Sequence, residues 1–86
     1  MAMKIIEATE FPNEYLYKIH IDDTKIDDAG KPLPEYIQEF KWGNAPPEGQ
    51  TKAKYIANIK REMKLLCELK LSSLNGTPMA DTGKVL

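Results

Sequence analysis

The chain has 86 residues, 42% of them hydrophobic and 29% charged, with a net charge of −1 and a pI near 5.8. That is one small domain, which hides a little over half of its unfolded surface on folding. No apolar run reaches the length of a bilayer-spanning helix, and the single Cys67 excludes an internal disulfide framework. The start, MAMKIIEATE, lacks a basic segment followed by a long apolar core, so the expectation is a chain without a secretory leader, in a reducing cytoplasm.

In chain order, MKIIEA is β-branched at its centre and is followed by the breaker Phe11-Pro12-Asn13, which predicts a first strand over residues 3–8. YLYKIHI then alternates, with Tyr15, Tyr17, Ile19 and Ile21 on one side and Leu16, Lys18 and His20 on the other, the period of a half-buried strand. A further run, EYIQEFKW, groups Tyr36, Phe40 and Trp42 on one side. Asp27-Asp28-Ala29-Gly30 lies between these runs and has the residues of a tight turn, acids that bond their own backbone and a Gly that accepts positive φ. The prediction is a hairpin with strands over 15–26 and 31–42, in which Pro32 and Pro34 mark an open edge.

GNAPPEGQ ends the sheet, and Thr51 can cap a helix over 51–72. At 100° per residue, Tyr55, Ile56, Ile59, Met63, Leu66 and Cys67 form one apolar stripe, with Lys54, Lys60, Arg61, Lys64 and Glu68 on the far side. The architecture expected is α+β, a meander of two or three antiparallel strands under one long helix. Residues 1–74 form the domain, and 75–86 a flexible tail that can fold back over the helix.

The helix is longer than the strands, so one end should overhang. Leu65, Leu69, Leu71 and Leu74 lie outside the core stripe or beyond Lys70, and leucines without an intrachain partner point to contact with another protein or a second copy. An alternative comes from charge. Residues 1–50 hold five lysines against ten acids, a net of −5, whereas the remainder holds seven bases against three acids, a net of +4. Lys54, Lys60, Arg61 and Lys64 would then bind nucleic-acid phosphates, although a solvated outer helix face is the simpler explanation of them.

Catalytic chemistry finds little support in the residues. Asp22-Asp23 and Asp27-Asp28 do not fit a calcium loop, because aligning Gly30 with the loop glycine puts Lys25 at the first ligand position and Tyr36 where the closing acid belongs. Glu39-Phe40-Lys41 matches the acid-x-Lys part of a metal-dependent nuclease motif, without the flanking elements that the motif needs. His20 and Asp22 are at most half of an acid–base or metal pair, and Cys67 falls on the core stripe. The expectation is no catalytic residue, no metal and no cofactor.

Taken together, EYIQEFKWG, NAPPEG and YIANIKREMKLL give a pattern of strand pair, Trp-Gly, Pro/Gly loop and amphipathic helix. This resembles small uncharacterised proteins encoded by bacteriophages and prophages, over residues 15–70. The resemblance implies a non-catalytic binder of proteins, in particle assembly or in redirecting a host factor, and carries no catalytic residues with it.

Overall fold

A computed structural model describes residues 2–76 together with Ala80, Gly83 and Val85; the expected tail, 75–86, lies mostly outside the described residues. Among the described residues, three strands, β1 (Lys4–Glu10), β2 (Glu14–His20) and β3 (Ile37–Gly43), form one antiparallel sheet in the order β1-β2-β3, followed by one α-helix, α1 (Lys52–Asn75). The α+β meander under one long helix is therefore the fold.

β1 and β2 are joined by a tight turn in which the Phe11 N–H donates to the Glu14 carbonyl at 2.7 Å. The side-chain amide of Asn44 clamps that turn to the end of β3 by donating to the carbonyls of Phe11 and Pro12. Tyr15 lies opposite Trp42, and Tyr17 lies between Ala8 and Phe40, so the aromatic residues share the face under α1. A bulge between Ile5 and Glu7 bends the outer strand β1, a device that makes a sheet edge a poorer template for pairing.

The long hairpin predicted over 15–26 and 31–42 is corrected. β2 stops at His20 and β3 starts only at Ile37. Local side-chain bonding is the reason: the Asp22 carboxylate accepts from both the N–H (3.0 Å) and the hydroxyl (2.6 Å) of Thr24, turning the chain out of the ladder. On the return, Pro34 opens a single 3-10 turn, Pro34–Tyr36, where its missing N–H costs nothing. Between them Ile26 and Pro32 make one isolated bridge. The tip falls where expected, with Asp27 accepting from the N–H groups of Ala29 and Lys31 at 2.9 Å each and Gly30 at φ +78°.

α1 starts as predicted, with the Thr51 hydroxyl accepting from the Lys54 N–H at 3.2 Å. It runs to Asn75, not 72, and Gly76, at φ +70°, donates its N–H to the Ser72 carbonyl. At 1.5 Å per residue, 24 residues span about 36 Å, against about 23 Å for a seven-residue strand. Two contacts fix the helix start. The Tyr55 hydroxyl donates to the Gly43 carbonyl at 2.6 Å, and Lys52 donates to Glu10 at 3.0 Å while lying over the Tyr15 ring. The bond to Glu10 holds the Lys52 ammonium above its usual range.

The core consists of Tyr15, Tyr17, Ile19 and Ile21 from the sheet side and Ile59, Met63, Cys67 and Leu71 from α1, edged by half-buried Met3, Tyr36, Phe40, Trp42, Tyr55, Ile56 and Leu74. Two helix positions differ from the expected stripe: Leu66 is 41% exposed, and Leu71 is buried. Each four-residue step advances about 40° past a full turn, so the line 59-63-67-71 winds around the helix toward β1. The sheet follows that winding, because its own twist turns the same surface. Leu16 and His20, on the opposite face, are also buried; β2 is the central strand, and its neighbours shield it on both sides.

Candidate functional site

Two surfaces of α1 and one loop hold the residues that the sequence singles out. On the first surface, Leu65 and Leu69 are 58% and 69% exposed, one turn apart, with the 41% exposed Leu66 beside them. Leu71 and Leu74 do not join them. Leu71 is buried in the core and Leu74 packs half-buried against it, so the apolar patch expected from four leucines reduces to Leu65 and Leu69 with the addition of Leu66. A further feature accompanies the patch: Glu62, Leu66 and Lys70, four residues apart and all exposed, form one ridge along the helix with opposite charges at its ends. Ion pairs among the described residues join Lys18 to Glu7 and Lys52 to Glu10, and neither Glu62 nor Lys70 takes part in one.

Lys54, Lys60, Arg61 and Lys64 are exposed, but they divide between two surfaces. Lys54 and Arg61 lie on the outer side of the helix, whereas Lys60 and Lys64, with Glu68, form one wall of a groove of about 750 Å³. Its floor is apolar, from Met3, Ile5, Ile19 and Ile21, and it opens between β1 and the C-terminal half of α1. The basic residues thus present two separated pairs, and the groove pair shares its wall with an acid. The far face of the sheet holds Glu39 and Lys41, with Glu39 opposite Lys18 and Lys41 opposite Leu16 in register.

The Asp-rich loop is occupied by its own backbone. Asp22 turns around Thr24, Asp27 closes the hairpin tip, and an oxygen of Asp23 accepts from the Ala2 N–H at 3.0 Å. His20 places its Nε2 2.9 Å from the Lys25 carbonyl, so the imidazole braces the same loop. Among the described residues no group of three His, Cys, Asp or Glu side chains converges. Burial raises the Cys67 thiol above its usual pKa and keeps it protonated, the opposite of what a nucleophile needs.

The Asp22 carboxyl is held below the usual carboxylate range, first by the Thr24 hydroxyl and then by the Thr24 N–H, against an opposing effect of burial. A depressed folded value contributes stability that is present above the unfolded pKa and is lost as pH falls through the folded one. Asp22→Asn is therefore expected to lower the urea midpoint at pH 7 and to differ less from the parent at pH 3. A gap that is equal at both pH values would refute a role for the charge.

No helix among the described residues is long and apolar enough to cross a membrane. Comparison with protein-family models, curated proteins and solved structures gives no match to this chain.

Proposed function

We propose that the chain is a non-catalytic protein-interaction module that binds through the leucine-bearing flank of α1. The observation that carries this reading is the exposure of Leu65 and Leu69 on a helix whose core stripe is already complete without them. Exposed leucines grouped beside each other cost solubility unless a partner covers them. The chemistry of several remaining candidates supports the same reading: Asp22, Asp23 and Asp27 accept from backbone N–H groups, the thiol is buried, and the histidine braces a loop.

The test is Leu65→Glu/Leu69→Glu, compared with the parent by light scattering over a dilution series and by chemical cross-linking in a cell extract. The variant is expected to keep its thermal midpoint within about 2 °C, because surface substitutions of this kind lie outside the fold's packing. Association of either kind should disappear. Unfolding of the variant would place these leucines in the fold, and association that survives would place the contact elsewhere.

A second reading, nucleic-acid binding through Lys54, Lys60, Arg61 and Lys64, draws support from the exposure of all four. Arg61→Glu/Lys64→Glu separates the two, since it removes salt-dependent phosphate contacts and leaves the leucine flank intact.

A further inference from the structure

We infer that the protein covering this flank is a second copy of the same chain, with the two α1 helices side by side and antiparallel about an axis at Leu66. The inference rests on the reading of the leucine flank as a contact surface and adds the identity and direction of the partner.

The ridge Glu62-Leu66-Lys70 carries it. Residues four apart form the rows that interdigitate when two helices meet. This row has a negative end, an apolar centre and a positive end. Reversed, it is its own complement: a two-fold axis at Leu66 sets Leu66 against Leu66 and places each Glu62 beside the Lys70 of the other copy. A parallel arrangement would instead place Glu62 against Glu62 and Lys70 against Lys70, where like charges repel.

Both charged residues are exposed, so the pairing competes with neither ion pair found among the described residues. Leu65 and Leu69 lie in the adjacent row, close to either side of the axis, and extend the apolar centre. Lys60 and Lys64 are on the groove side of the helix, away from this ridge, and need not be desolvated. The same patch serves both copies, so the assembly closes as a dimer and does not propagate into a filament.

The experiment uses the full chain with Cys67 in place, since that thiol is buried. Under mild oxidation Glu62→Cys/Lys70→Cys is expected to give a disulfide-linked dimer on a non-reducing gel. Glu62→Cys alone is expected to give none, because symmetry-related positions four residues from the two-fold lie about 12 Å apart along the helices, beyond the reach of a disulfide. In equilibrium measurements Glu62→Lys and Lys70→Glu should each weaken dimerisation about tenfold, and the double reversal should restore it to within about twofold.

Efficient cross-linking by Glu62→Cys alone would mean a parallel pair and would overturn the inference while leaving the flank as the contact surface. A parent chain that is monomeric at every concentration would also overturn it, and binding through the flank would then depend on a different protein. Failure of the leucine double variant to affect a dimer would instead strike at the functional reading itself.

Discussion

Replacing Met63 by Ala is expected to lower the unfolding free energy by about 3 kcal/mol, within the range for truncating a buried Met. Met63 is fully buried at the middle of the α1 stripe, between Ile59 and Cys67. Alanine is the better helix former, so the loss measures packing and not propensity. The side chain also lines the groove, where solvent can enter the vacated space, and this keeps the cost below the upper end of the range. An 86-residue domain holds about 4 to 13 kcal/mol in total, so the change removes a large share of its stability. Urea denaturation followed by circular dichroism measures it. A loss under about 1 kcal/mol would mean that α1 does not bear on the sheet through this face.

The parts of the fold that were legible in the sequence are those governed by short-range rules. The start of α1 is local chemistry, a Thr hydroxyl within reach of an N–H three residues on. The alternation of Tyr15, Tyr17, Ile19 and Ile21 required only the period of a strand, and all four are in the core. The hairpin is shorter than expected because the turn residues Asp27-Asp28-Ala29-Gly30 mark only its tip, whereas the Asp22 carboxylate captures the Thr24 backbone and ends the ladder before it. Burial of Leu16 and His20 was also not legible, since it follows from the position of β2 between two other strands, which a period of two does not reveal.

For the candidate surfaces, the limit was the angle at which the helix sits on the sheet. A helical wheel ranks residues by angle but has no origin, and the offset of α1 from the sheet supplies it. This offset exposes Leu66, buries Leu71, and separates Lys60 and Lys64 from Lys54 and Arg61. The ridge Glu62-Leu66-Lys70 is visible as spacing alone, yet it gains meaning only when Leu66 is found outside the core. Exposure of Leu65 and Leu69 was legible because both lie well away from the stripe at any reasonable offset.

Leu71→Ala and Leu69→Ala, two positions apart and chemically identical, are expected to differ by about 2 kcal/mol or more. Leu71 is 6% exposed and closes the C-terminal end of the core, whereas Leu69 is 69% exposed. Truncating a buried leucine costs about 2 to 5 kcal/mol, from lost transfer free energy and the cavity left behind. Leu71 also forms part of the groove boundary, so its cost should fall near the lower end. At Leu69 little apolar area leaves water on folding, and alanine favours the helix slightly, so the change should stay within about 0.5 kcal/mol. The comparison must be made by urea denaturation at high dilution, where association contributes nothing to the midpoint. At higher concentration Leu69→Ala should lower the midpoint as well, because binding that favours the native state adds to apparent stability. Equal costs at high dilution would mean that the end of α1 lifts from the sheet, and that all of its leucines share one environment.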